Sequence, residues 1–187
     1  MSISGRRETA IGADGIRILF DAGEVEGRVG ELARRISGDF GGGPPVLIGI
    51  LTGAAQFAID LLRAMPAEFA REVEYDFIKI SSYHGRESTG PPQVADSTAV
   101  ELEGRQVLLV DGIVDTGGTM QAAIAAVQAY SPSSIHTCAL IDKPEKRRVP
   151  VRLDYVGYTI GDLFVVGYGM DYCQRYRALP CIGVLDA

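Results

Sequence analysis

The sequence predicts an α/β fold, a mainly parallel twisted sheet flanked by helices on both faces. Three observations predict it. Residues 46–50 (VLIGI) and 107–110 (VLLV) are short, continuous apolar runs, the composition of strands buried on both faces. Segments with apolar residues at helical spacing lie between such runs. Strand and helix alternate along the chain, the order that builds a parallel sheet. With 187 residues there is room for one domain with a well-buried core, and too little for two ordinary ones.

The elements follow in order. Val25, Val29, Leu32, Ala33 and Ile36 form the apolar stripe of a helix over residues 24–40, which GGGPP at 41–45 ends. VLIGI is the first buried strand, and LTGA leads from it into a helix, AAQFAIDLLRA, that stops before Pro66. Val73, Tyr75 and Phe77 alternate with polar residues, as in a half-buried strand. Residues 83–98 (YHGRESTGPPQVADST) show no periodicity, and so long a loop in a compact domain is expected to be functional or disordered. VLLV is the next buried strand, followed by a loop and a helix to about Tyr130, which Ser131 and Pro132 stop. IHTCALID, at 135–142, is another buried strand. Beyond Pro144 the chain turns aromatic-rich, with short strand patterns in YVGYTI and LFVVGYG.

Composition excludes several function classes. A net charge of −6 disfavours a general role on nucleic acid, where a basic footprint is expected. Small phosphorylated ligands remain compatible, because backbone N–H groups and Mg²⁺ supply a positive field. No apolar run approaches the roughly 20 residues that span a bilayer. MSISGRRETAIG has two arginines but no apolar segment behind them, so no signal peptide and no membrane partner are expected, and the expected location is cytoplasmic. Cys138, Cys173 and Cys181 show no metal spacing and read as reduced thiols. With only His84 and His136, a histidine-based zinc site has little support.

The chemistry concentrates after VLLV. In open parallel sheets ligands bind at the carboxyl ends of strands. There DGIVDTGGT puts backbone N–H groups and two threonine hydroxyls at the start of a helix, a ready anion site. The loop is neither a Walker A sequence, since the lysine after its second glycine is absent, nor GxGxxG. An acid pointing into a phosphate site would repel it. Asp111 and Asp115 are therefore placed beside the phosphate, facing ribose hydroxyls, a metal or a proton to be removed. The competing reading is a solvated turn in which Asp115 merely caps the helix.

An apolar strand followed by acids and DTGGT resembles the phosphoribosyl-pyrophosphate signature of the type I phosphoribosyltransferases. LTGAAQFAIDLL resembles their pyrophosphate loop, and ISSYHGREST the mobile loop of the purine enzymes. LIDKPEKRRVPV followed by FVVGYGMDYCQRYRALPCIG is similar to the base-binding segment of the bacterial hypoxanthine(-guanine) branch. The resemblance runs from about Val46 to Gly183. It implies a single phosphoribosyltransferase domain over 1–187. In that domain a core of about 24–143 carries a small hood, from about 1–23 and 144–187, over the strand carboxyl ends.

The activity so implied joins hypoxanthine, and guanine, to 5-phosphoribosyl 1-pyrophosphate, giving IMP or GMP and pyrophosphate, with Mg²⁺ as cofactor. The resemblance implies a 5′-phosphate on Thr116, Gly117, Gly118 and Thr119, and makes Asp115 the general base toward purine N7. It implies that Lys143 donates to the 6-oxo group, Phe164 stacks on the base, and the Val165 carbonyl accepts the guanine 2-amino group. Asp171 is implied at the Mg²⁺–pyrophosphate end, Arg177 on pyrophosphate, Asp111 on ribose and metal, and Leu51, Thr52 and Gly53 in the pyrophosphate loop. Ser82 and Tyr83 are implied to close over the ribose. A homodimer or homotetramer is the implied assembly.

Two residues depart from the pattern. The purine enzymes usually carry two adjacent acids after the apolar strand, and here Gly112 follows Asp111. One carboxylate remains, so weaker or water-mediated ribose and Mg²⁺ contacts are expected. Thr52 stands where a lysine is often found, which removes a charge near pyrophosphate. The family also uses a cis peptide in this loop, on which the sequence is silent. Two alternatives stay open at this point: a xanthine-shifted phosphoribosyltransferase, and a weakly active protein of the same fold that senses phosphoribosyl pyrophosphate or nucleotide.

Overall fold

The structure, a computed structural model, describes residues 9–11, 15–81, 93–94 and 98–185. Its described elements form two sheets. The hood sheet contains β1 (Thr9–Ile11), β2 (Ile16–Phe20), β9 (Val165–Val166) and β10 (Ile182–Leu185), antiparallel in the order β1-β2-β10-β9. Both ends of the chain therefore contribute to it. The main sheet contains β3 (Val46–Leu51), β4 (Tyr75–Ser81), β5 (Gln93–Val94), β6 (Gln106–Val114), β7 (Ser134–Asp142) and β8 (Tyr155–Thr159), in the order β5-β4-β3-β6-β7-β8. All of its pairings are parallel except that of β5, at one edge.

Strand alternation sorts the core into two layers. On one face Leu47, Leu108, Val110, Cys138 and Leu140 pack against α1 (Ala22–Asp39) and α2 (Ala55–Ala64). On the other, Val46, Ile48, Ile50, Val107 and Leu109 pack against Met120, Ala123 and Val127 of α4 (Gly118–Gln128). The short α3 (Ala67–Ala70) contributes no buried residue. Helix α1 starts one turn earlier than its apolar stripe, because Asp21 and Glu24 form a reciprocal capping box at 2.8 and 3.0 Å.

Crossover handedness then fixes where a ligand can sit. Helix α2 leads from β3 outward to β4, and α4 leads from β6 outward to β7 in the opposite direction. Right-handed crossovers of opposite direction place their helices on opposite faces. The strand order therefore reverses between β3 and β6, the position at which open parallel sheets bind ligands beyond the strand carboxyl ends. Both glycine-containing loops identified from sequence, 51–54 and 111–119, lie at that point.

Two sequence expectations change. Strand β4 is half-buried, but its better buried face is the one opposite the Tyr75–Phe77 alternation: Ile78 is buried in the α4 layer and Ile80 packs there, while Phe77 is only partly buried and Tyr75 half-exposed. Strand β8 falls in the stretch read as hood, yet it pairs in parallel with β7 and extends the main sheet. Its buried Tyr155 belongs to the α1 layer and donates to Asp39 of α1 at 3.1 Å. Among the described residues no helix is long and apolar enough to cross a membrane, and the three cysteines are free.

Candidate active site

Adjacent parallel strands that end in register deliver their next residues side by side. Val114, the last residue of β6, pairs with Asp142, the last of β7, and the Lys143 N–H donates to the Val114 carbonyl at 3.0 Å. Asp115 and Lys143 therefore leave the sheet together, and the Lys143 ammonium lies 3.7 Å from Asp115 Oδ2. Lys143 is only 4% exposed. Burial lowers its pKa, an effect Asp115 opposes.

A second ammonium faces the same oxygen. Pro144–Lys146 form one turn of 3₁₀ helix, closed by the Lys146 N–H on the Lys143 carbonyl at 3.1 Å. Side chains three apart in such a turn lie on one side, and Lys146 Nζ comes within 3.7 Å of Asp115 Oδ2. Its stronger partner is Asp162, at 2.8 Å, and that bond raises the Lys146 pKa. The other Asp115 oxygen, Oδ1, is buried without a hydrogen-bond partner among the described residues. It is an acceptor held next to cations with its own lone pairs unused.

Behind this carboxylate lies the phosphate-nest candidate. Helix α4 begins at Gly118, and its N-cap is Gly117 in the left-handed region at φ 91°, with no side-chain cap. Asp115 is therefore not the helix cap, which removes the competing reading of the turn. A Cβ on Gly117 would stand 2.5 Å from the Val149 carbonyl oxygen. The chain closes on the loop here: the N–H groups of Arg148 and Val149 both donate to the Thr116 carbonyl at 3.0 Å. Arg147 ties the same loop from the side, donating to the Asp115 carbonyl at 3.2 Å while pairing with Asp142. Thr119 follows in the first turn of α4.

Phe164 precedes β9 and is 51% exposed, with its ring edge-to-face on Tyr172 at 5.8 Å. An aromatic that an apolar segment would ordinarily bury is instead presented at the surface. Val165, beside it, is buried and paired with Val184 of β10. Asp171 and Arg177 form an ion pair at 2.6 Å. Asp171 also accepts from the Gln174 N–H at 2.8 Å, and Arg177 donates to the Gly169 carbonyl at 2.6 Å.

Asp111 lies inside β6 rather than at its tip, opposite Ala139, and is 7% exposed. Burial raises its pKa to about 7 against the backbone N–H groups of Ile113 and Gly112, which lower it. Leu51 ends β3, the Leu51-Thr52 peptide is cis, and Gly53 leads into α2. The expected lid residues Ser82 and Tyr83, with His84, lie outside the described residues. Lys146, Arg147, Asp162 and Gly169 were missed from sequence. The three-residue spacing of Lys143 and Lys146 was a usable signal for the first, but nothing local pointed to Asp162.

Comparison with known proteins identifies the family to which the chain and its fold belong. The profile of the phosphoribosyl transferase domain matches residues 16–173. The hypoxanthine-guanine phosphoribosyltransferase of Staphylococcus aureus is 36% identical over 169 residues, covering 90% of this chain and 92% of that one. The hypoxanthine-guanine-xanthine phosphoribosyltransferase of Tritrichomonas foetus is also 36% identical, over 95% of this chain and 96% of its own. The chain spans only 26% of the bifunctional protein TilS/HprT of Listeria innocua, at 35% identity. Among solved structures, the Trypanosoma cruzi hypoxanthine phosphoribosyl transferase superposes with a TM-score of 0.86, at 36% identity over 95% of each chain.

Proposed function

This chain belongs to the phosphoribosyltransferase family, on its hypoxanthine(-guanine) branch, and on that premise we propose that it is a purine salvage enzyme. It transfers the phosphoribosyl group of 5-phosphoribosyl 1-pyrophosphate to N9 of hypoxanthine and of guanine, releasing pyrophosphate. The observation that carries this reading is the Asp115 carboxylate. One oxygen faces two ammoniums at 3.7 Å while the other is buried and unpaired. An oxopurine edge offers the complementary set, an N7 proton for Asp115 and a 6-oxo acceptor for Lys143. Adenine offers an amine donor in place of that acceptor, and the buried lysine would face it unpaired.

The remaining residues divide the other tasks. Phe164 stacks on the base, and the Val165 carbonyl takes the 2-amino group of guanine. The 5′-phosphate rests on residues 116–119, where the N-terminus of α4, which has no side-chain cap, favours negative charge. Asp115 holds the N7 proton as negative charge on the base is dispersed, a role that typically contributes about 10²–10⁴-fold in rate. Arg177 and the 51–53 turn receive pyrophosphate, Arg177 through its planar fork. Ser82 and Tyr83 close over the ribose and exclude water from the cation-like transition state.

Mg²⁺ fits the donor set. Asp111 and Asp171 are hard oxygen donors, and no cluster of three or more His, Cys, Asp or Glu side chains gathers among the described residues. Such an ion is held by one or two carboxylates together with substrate phosphate oxygens. When bound it would neutralise charge on the departing pyrophosphate. The protein acts in the cytoplasm as a homodimer or homotetramer, which sedimentation velocity would check.

Pyrophosphate release tests the proposal. Phosphoribosyl pyrophosphate, Mg²⁺ and hypoxanthine together give IMP and stoichiometric pyrophosphate. Binding of the substrates without release would replace the enzyme with a sensor of the same fold.

A further inference from the structure

The departure at Gly112 has a structural counterpart. Gly112 lies near the end of β6, beyond Leu108 and Val110, whose side chains pack toward α1 and α2. There it meets the turn between β3 and α2. A Cβ on Gly112 would stand 2.6 Å from the carbonyl oxygen of Gly53 and 3.1 Å from its carbon. Carbon and oxygen in close contact keep about 3.3 Å. The obstacle is backbone, so no side-chain rotation relieves it.

Gly169 of the hood reaches the same carbonyl from another direction. Its φ is 93°, and a Cβ there would collide with the Gly53 carbonyl as well. Gly169 is itself fixed: its N–H donates to the Arg177 carbonyl at 2.9 Å, and its carbonyl accepts from the Arg177 guanidinium. Arg177 is in turn paired with Asp171. Two bare backbones, one from the core strand and one from the hood, thus close on a single peptide oxygen. Gly53 itself has open space where its own Cβ would stand, so the crowding comes from its neighbours.

We infer that Gly112 and Gly169 form a seat for the Gly53 carbonyl, and that Gly112 is a positioning residue for the 51–53 turn rather than the trace of a lost carboxylate. The inference rests on the reading of that turn as the pyrophosphate-binding loop. It changes what Gly112 means. An aspartate at this position would not simply add a ligand for ribose, because its Cβ would first displace the turn.

The test compares Gly112→Ala and Gly112→Asp with the wild type, measuring steady-state kinetics for each substrate and amide hydrogen exchange. The Ala54 N–H bonds to Ile50 at 3.2 Å and the Ala55 N–H to Thr52 at 3.3 Å, so these two amides report on the turn. Expected in both variants is faster exchange at Ala54 and Ala55 with β6 protection retained. The KM for phosphoribosyl pyrophosphate rises about ten- to a hundredfold, as displacement of a positioned group by about 1 Å can do. The hypoxanthine KM stays within about twofold, because that change is confined to one substrate's contacts.

A Gly112→Asp variant that uses phosphoribosyl pyrophosphate better than wild type would overturn the inference in favour of a lost ligand. Unchanged exchange and unchanged KM would overturn it at the seat itself. A loosened turn with unchanged KM would also overturn it, tracing the fault to the reading of the turn as a pyrophosphate loop. Loss of protection throughout both variants would contradict a strain confined to this contact.

Discussion

The two ends of the candidate site are built from different materials. At the base end, Asp115, Lys143, Lys146 and Asp162 are charged side chains linked by contacts of 2.8 to 3.7 Å, beside an exposed Phe164. At the end proposed to take pyrophosphate, the decisive contacts are between backbones: Gly53 against Gly112 and Gly169, with the Asp171–Arg177 pair behind them. Charge recognises the sign and position of ligand atoms, and close backbone packing fixes where a loop lies. The comparison teaches that a missing acid at one end need not weaken the other, since the two ends depend on different physics.

Breaking the base end should have the largest effect. Asp115→Asn keeps the shape but removes the basic oxygen, and kcat is expected to fall about 10²–10⁴-fold. Phosphoribosyl-pyrophosphate affinity, measured by calorimetry, should change by about threefold or less, because the nest is formed by backbone. An unchanged kcat would remove the general-base role.

Lys143→Met comes next. It deletes the proposed donor to the 6-oxo group and leaves Asp115 with one ammonium. The kcat/KM for hypoxanthine should fall about 10²-fold, with the preference over adenine narrowed. At the other end, Arg177→Lys keeps the charge and loses the fork, so the KM for phosphoribosyl pyrophosphate should rise about tenfold. A rise in hypoxanthine KM instead would show that the two ends are not separable.

The smallest effects are on stability and tuning. Burial raises the Asp111 pKa from 3.8 to about 7, so the folded state binds more protons than the unfolded between those values. The stability this carboxyl contributes is present below about pH 4 and lost as pH rises through about 7. In metal-free protein, Asp111→Asn should abolish that loss, worth on the order of 4 kcal/mol across the window. Thermal melts of both proteins from pH 4 to 8 would show it. Parallel melting curves would mean that Asp111 is not buried in the free protein. Lys146→Met, which cuts the bridge to Asp162, should raise the hypoxanthine KM only about two- to fivefold, as expected for a part-exposed pair.

The same contrast decided what could be read before the fold was known. VLIGI, VLLV and IHTCALID announced buried parallel strands because both of their faces are apolar. DTGGT announced an anion site because residue type and chain order are local properties. Lys143 and Asp115 carried their family pattern in single letters. The seat of Gly53 was invisible: Gly112 and Gly169 lie far from it in sequence, and a glycine's use depends on what approaches it. Asp162 reaches Lys146 only through the tertiary path of β8. For the same reason the sequence does not assign β8 to the main sheet, since a pattern such as YVGYT does not say which sheet will accept it.

The most direct measurement of the central claim is nucleotide formation from phosphoribosyl pyrophosphate and Mg²⁺ with hypoxanthine, guanine, xanthine and adenine in parallel. A base edge set by Asp115 and a buried Lys143 predicts turnover of hypoxanthine and guanine and none of adenine. Turnover of adenine, or of xanthine with no product from hypoxanthine, would contradict it.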